Sequence, residues 1–205
     1  MTRKPMLFST ILGRGCHREV IGLIGAHPGS GVTYTGLLLS FYLGEELGRK
    51  TAYAECNGHQ DFWLFQQAYQ WRREEEHFFS FGNITFYRNV TAERIPALLG
   101  ENYDVIILDF GYDLNANREE FGRCDKKLVL GGCTEWNLCK LGSFIENVLG
   151  IKGNETWNYL LPFAGKKTIQ FMQQKYNRKF YPIPLESDPL KLSKEAQRLF
   201  LRLLE

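Results

Sequence analysis

The sequence is poor in the features that mark secreted, metal-bound or membrane-spanning chains. Its five cysteines (Cys16, Cys56, Cys124, Cys133, Cys139) are odd in number and contain no C-x-x-C pair. Scattered through apolar segments, they read as reduced thiols of a cytosolic protein, which sets a disulfide framework aside. Cys16-His17 is the nearest approach to a metal-ligand pair, and no second pair at useful spacing accompanies it, which argues against zinc. Neither sign of charge dominates: 25 Lys and Arg stand against 23 Asp and Glu, a balance that selects neither nucleic acid nor membrane as a partner. Repeats, low-complexity tracts and linkers are also missing. What remains is 205 residues, a length that suits one domain and buries roughly 70–75% of the unfolded surface.

Two stretches differ from the rest. Residues 1–19 form an N-terminal extension in which Arg3, Lys4, Arg14 and Arg18 flank Met6-Leu7-Phe8 and Ile11-Leu12. The apolar stretch is too short to span a bilayer, and no small-residue cleavage site follows it. It reads either as a frayed extension or as a basic amphipathic arm for an anionic membrane or a partner. From Lys166 to Glu205, basic residues outnumber acidic ones, with Lys166-Lys167 and Lys175, Arg178, Lys179 near Phe171 and Tyr176. That is either a solvated helix face or an anionic partner's surface.

Residues 20–205 are expected to form the single folded domain. It opens with Val20-Ile21-Gly22-Leu23-Ile24, a strand signal, and a helix signal runs from Leu37 to Leu47. Between them lies GAHPGSGVTYT. Gly29, Gly31 and Thr33 have the spacing of a phosphate-binding P-loop, whose glycines let consecutive N–H groups face an anion at a helix start. Its lysine, which would reach the phosphates, is replaced by Val32. His27, Gly29, Ser30, Gly31, Val32, Thr33 and Tyr34 are therefore the candidate nucleotide-contacting residues, and the Thr33 hydroxyl is a candidate Mg²⁺ ligand. The plain alternative is an ordinary glycine turn in a βα unit.

Further along, Tyr103-Asp104-Val105-Ile106-Ile107-Leu108-Asp109 reads as a buried central strand. It ends in Asp109, which would sit at the sheet's C-terminal edge beside the loop and hold Mg²⁺ with Thr33 in the Walker B manner; an aspartate there also forms turns. Strands are expected at 51–56, 84–87, 127–130, 158–161 and 180–183. The helices expected between and after them span 61–76, with Asp61 as cap, 91–99, broken by Pro96, 135–149, 166–176 and 193–204. This alternation predicts a doubly wound, mostly parallel α/β sheet with helices on both faces.

Together VIGLI, HPGSGVT, the 37–47 helix, AYAECN and YDVIILDFG resemble, over Val20 to Leu204, the ParA/MinD-type deviant Walker ATPases, which include bacterial tyrosine autokinases and TadZ/CpaE-like localisation proteins of pilus systems. The resemblance places the family's two loop lysines at His27 and Val32, and its acidic pair after the second strand at Glu55 and Asn57. Glu55 and Asn57 are thus the catalytic candidates, with an amide where a water-orienting carboxylate would stand. No C-terminal tyrosine cluster supports a kinase, and PFAGKK replaces the usual adenine-contacting pair. What the resemblance implies is a degenerate member, a pseudo-ATPase in which ATP with Mg²⁺ is a possible ligand. It would act as a localisation or assembly factor, cytoplasmic or membrane-associated through a partner. A weak unconventional ATPase or nucleotide switch and a DNA-binding partition protein stay open beside it. The aromatic block Phe62, Trp63, Phe65, Tyr69, Trp71, Phe78, Phe79, Phe81 does not fit on one inward face, which suggests a protein interface, with a homodimer as one form of it.

Overall fold

The computed structural model describes residues 18–69 and 77–205. Within these residues eight strands form one sheet: β1 (Glu19–Gly25), β2 (Thr51–Glu55), β3 (Phe78–Phe81), β4 (Ile84–Tyr87), β5 (Val105–Asp109), β6 (Lys126–Leu130), β7 (Asn158–Pro162) and β8 (Lys179–Ile183). Their order is β3-β4-β2-β5-β1-β6-β7-β8, and every pair is parallel except the β3–β4 hairpin. The chain winds outward from β1 in both directions, so the sheet reverses its strand order there and opens a crevice at the C-terminal end of β1.

Among the described residues seven α-helices cover the faces: α1 (Val32–Phe41, continued by a π-helical turn Tyr42–Glu46), α2 (Asp61–Ala68), α3 (Ile95–Gly100), α4 (Leu114–Arg123), α5 (Glu135–Val148), α6 (Lys166–Tyr176) and α7 (Lys194–Leu204). Side chains alternate across each strand and feed two cores. Val105 and Ile107 pack with α1, α2 and α7 residues such as Leu38, Phe62 and Phe200. Ile106 and Leu108 pack with α3, α4, α5 and α6 residues such as Leu98, Phe121, Ile145 and Met172. Burial on both faces explains why the central strands are continuous apolar runs.

Several local expectations are corrected. The loop helix begins at Val32, five residues before the expected Leu37, because Gly31 at φ 90° serves as its N-cap. Asp61 is the first residue of α2, not its cap; Gln60 holds that place at φ 60°. The Glu55 carboxylate accepts the Asp61 N–H at 2.6 Å and does the capping from β2. The helix ends at Ala68, and residues 70–76, Trp71 included, lie outside the described residues, as do residues 1–17 of the N-terminal extension. Pro96 does not break its helix, since it stands in the first turn, where its missing N–H is harmless. Phe78–Phe81 is a strand and Leu114–Arg123 a helix, neither of them expected from the sequence.

At the far edge, β8 carries exposed Pro182, and the Gln173 side-chain amide donates to the Phe180 carbonyl at 3.1 Å. On the way to α7 the chain is fixed by Ser193. Its hydroxyl accepts from Ala196 N–H at 3.2 Å and donates to buried Glu186, whose other carboxylate oxygen takes the Ser193 N–H at 3.0 Å. Ser193→Ala is expected to cost about 1–2 kcal/mol in urea unfolding, through loss of the cap and of a donor to a buried carboxylate.

Candidate functional site

The loop after β1 is suspended between two neighbouring strand ends. Gly25 N–H donates to the Gly111 carbonyl at 2.7 Å and Ala26 N–H to the Leu130 carbonyl at 2.8 Å. Gly29 (φ 71°) and Gly31 (φ 90°) then turn the backbone left-handed, the conformation that lets successive N–H groups face one point. No side chain caps α1 and no acidic residue lies in its first turn, so this positive helix end opens onto the crevice. The crevice has a volume of about 220 Å³ and runs between the loop, Tyr34, His59, Asp61, Gly111 and Tyr112, with the His59 and Tyr112 rings stacked at 5.7 Å.

His27 lines this crevice but is turned into the fold. Gly132 N–H donates to its Nε2 at 3.0 Å, so Nδ1 carries the hydrogen and donates to the Pro28 carbonyl at 2.8 Å. Both ring nitrogens are thus used within the protomer. Ser30 is buried, and its hydroxyl has no hydrogen-bond partner. Val32 is only 7% exposed and belongs to the core under α1. Its position is apolar in environment as well as in identity.

Thr33, Asp61 and Asp109 meet on the opposite wall. The Thr33 hydroxyl lies 2.8 Å from Asp109 Oδ2 and 3.1 Å from Asp61 Oδ2. Tyr53, fully buried beneath α1, places its hydroxyl 3.2 Å from the same Asp109 oxygen and 3.0 Å from the Thr33 carbonyl. The other oxygen, Asp109 Oδ1, accepts from Gly111 N–H at 2.9 Å and from the Asn57 amide at 3.0 Å. Asn57 also donates to the Asp109 carbonyl and accepts His59 N–H, so its amide is spent on holding the strand end.

Burial pushes the Asp109 carboxyl up despite those donors, and the neighbouring Asp61 charge adds to the rise. Glu55 is raised for the same first reason, offset in part by the Asp61 and Phe62 N–H groups. A carboxyl raised in the folded state contributes stability that is present at low pH and lost as pH rises through its folded value. Lowering the pH from 7 to 5 is therefore expected to raise wild-type stability relative to Glu55→Gln. Paired urea titrations at the two pH values check this.

Of the residues named from sequence, the fold brings together Gly29, Ser30, Gly31, Val32, Thr33, Tyr34 and Asp109, with His27 at the margin. Glu55 stands one layer back, capping α2. Sequence reading missed Asp61, Tyr53, His59 and Tyr112 at the site. A carboxylate six residues beyond Glu55 was the one available signal for Asp61.

A Mg-nucleotide fits this site in part. The loop N–H groups would take a phosphate, and the Thr33 hydroxyl between two carboxylates would take Mg²⁺. No lysine or arginine lines the crevice among the described residues, so the charge that would neutralise a triphosphate is missing.

The architecture is the fold of the ParA/MinD-type P-loop NTPases, an eight-stranded, mostly parallel sheet with a glycine-rich loop after its first strand. Solved structures bear this out. The chain is similar to a ParA family ATPase from Chlorobium tepidum (TM-score 0.64, 16% identity, 92% of this chain and 93% of that one). It is also similar to a chain of the MinC:MinD cell division complex of Aquifex aeolicus (0.65, 13%, 90% and 93%). A third match is cobyrinic acid a,c-diamide synthase from Mycobacterium smegmatis with bound ADP and magnesium (0.63, 14%, 92% and 94%). No family model matches the sequence, and no curated protein matches it.

Proposed function

We propose that this chain is a degenerate ParA/MinD-like protein that acts by binding, as a localisation or assembly factor of the kind found in pilus or secretion systems, with little or no ATP hydrolysis. The observation that carries this reading is the sunken, apolar Val32 at the lysine position of a loop whose backbone cradle is intact. A hydrogen bond to a charged group is worth about 1.5–3 kcal/mol, so its loss weakens triphosphate binding by roughly one to two orders of magnitude. It also removes charge stabilisation from any transfer step. Asn57, committed to Asp109, leaves no carboxylate in the water-orienting place.

A protein partner follows from the surface. Trp63 and Leu64 are exposed on α2 and Tyr69 just after it, large apolar groups on one helix that suit an interface. MinD as a relative in fold is known in complex with MinC. A homodimer through the same face is the simplest form. No helix among the described residues is long and apolar enough to cross a membrane, so membrane contact would come through residues 1–19 or a partner.

The second reading is a weak nucleotide switch, favoured by Thr33, Asp61 and Asp109 meeting beside the cradle. Calorimetry with ATP and Mg²⁺, beside a phosphate-release assay, tests both readings. The binding-factor reading expects weak or absent heat and no turnover above a Thr33→Ala control. Tight binding with turnover overturns it.

A further inference from the structure

The loop has a second face, turned toward β6 and away from Asp61 and Asp109. Here a cavity of about 380 Å³ lies against Gly29, Ser30 and Gly31, with Thr134, Pro162 and Phe163 on its other walls. It shares Phe163, Ile183 and Pro184 with an open groove of about 1030 Å³ that runs on along α6 and β8 to Leu185. The inner cavity is within the size range of small-molecule sites, roughly 300–1,000 Å³, and among the described residues no charged side chain lines it.

The two ends of this trough differ in chemistry. At the inner end stand the left-handed glycine turn and the uncapped start of α1, which favour an anion. Ser30 is 4% exposed and its hydroxyl has no partner. Thr134 is the N-cap residue of α5, yet its buried hydroxyl makes no cap bond and is also without a partner. Such hydroxyls are costly to bury unless something accepts from them. The outer end offers almost no backbone donor. Pro162 and Pro184 lack an N–H, the Phe163 N–H is spent on the Ile183 carbonyl at 3.1 Å and the Ala164 N–H on the Leu161 carbonyl at 3.4 Å. Phe163 stands where the two spaces meet, 62% exposed and at φ 62°. Bulky residues seldom hold that backbone, and strain of this kind collects at ligand clamps.

A nucleobase would leave its ring nitrogens without donors along this wall, and a wholly apolar molecule would leave the loop N–H groups and both hydroxyls unanswered. We propose that the trough binds a single-chain alkyl phosphate monoester. Its phosphate meets the loop N–H groups and the Ser30 and Thr134 hydroxyls, and its chain runs past Phe163 toward Leu185. A monoester carries at most two charges, so a helix start and backbone donors hold it without the lysine that a triphosphate needs. This inference goes beyond the binding-factor reading and rests on its intact cradle alone.

Calorimetry on the full chain compares butyl, hexyl and octyl phosphate with inorganic phosphate, 1-octanol and AMP. Each methylene that enters the trough is expected to lower Kd about threefold to fourfold, on the order of 100-fold from butyl to octyl. Octanol, without the phosphate, should bind at least about tenfold more weakly than octyl phosphate. Thr134→Val removes a hydroxyl that makes no bond within the fold and should weaken all three alkyl phosphates about tenfold. Phe163→Gly relieves the left-handed backbone while removing the ring. It should weaken octyl phosphate about fivefold or more and leave inorganic phosphate unchanged. A Kd independent of chain length, octanol equal to octyl phosphate, AMP equal to or tighter than hexyl phosphate, or silence toward all three esters in the millimolar range would each overturn the proposal. Titration with Mg-ATP is a separate readout, so the binding-factor reading and this one can fail independently.

Discussion

Gly36→Ala is expected to cost the fold about 3–5 kcal/mol. A Cβ at position 36 would lie 2.0 Å from the Tyr53 hydroxyl, 2.3 Å from the ring carbon that bears it and 2.9 Å from a Leu23 methyl. None of these can yield cheaply. Tyr53 is fully buried, with its ring edge-on to Phe62 at 4.6 Å. Overpacking costs about 1–3 kcal/mol, and a hydrogen bond to a charged group, here the one to Asp109, is worth about 1.5–3 kcal/mol. The melting temperature should fall by on the order of 10 °C. Tyr53→Phe removes the hydroxyl but keeps the clashing ring carbon, so it should cost roughly 1–2 kcal/mol alone and fail to rescue Gly36→Ala. Rescue by Tyr53→Phe would show that the hydroxyl alone occupies the space. The glycine thus exists for the tyrosine, and the tyrosine for the aspartate.

Val32→Lys is expected to tighten Mg-ATP binding by roughly 10–100-fold in calorimetry. The backbone needs no rebuilding, since Gly31 already starts α1 and presents the following N–H groups. The lysine stem can follow the valine's course past Gly25 and carry its ammonium out to the crevice, as long side chains do at apolar edges. Some stability is lost with the buried valine, about 1–2 kcal/mol. Turnover should stay at background, because Asn57 remains bound to Asp109. Unchanged affinity in a folded variant would mean that the Asp61 and Asp109 carboxylates, and not the missing lysine, keep anions out. Turnover in the variant would make the valine the sole lesion in an otherwise working enzyme.

Local spacing made half of this site legible. Gly29, Gly31, Val32 and Thr33 lie within five residues and their geometry follows from glycine alone, while Asp109 ends an apolar run that could only be a central strand. Asp61, Tyr53 and Asn57 reach the same point from a helix, a strand and a loop, and no short-range pattern encodes their convergence. The fold shows the same division. The strands buried on both faces stand out, but α4 (LNANREEFGR) places only Phe121 in the core, so its apolar period is absent. FFSF was hidden as a strand because aromatics occupy both of its faces, Phe79 inward and Phe78 and Phe81 partly exposed. The position of Glu55 was legible, but its hydrogen bond to the first residue of α2 was not.

The edge strand β8 limits how copies of this protein can assemble. Because Ile183 accepts from Phe163 N–H on the inner side, Pro182 and Phe180 are the residues that face outward, one without an N–H and the other with its carbonyl already taken by Gln173. A neighbouring strand would find almost nothing to pair with. Head-to-tail growth of the sheet from the β3 edge of one copy to the β8 edge of the next is therefore closed off. Among the described residues, association along sheet edges can reach a two-fold pair through β3 and is blocked at β8, so they offer no route to a sheet-continuous filament.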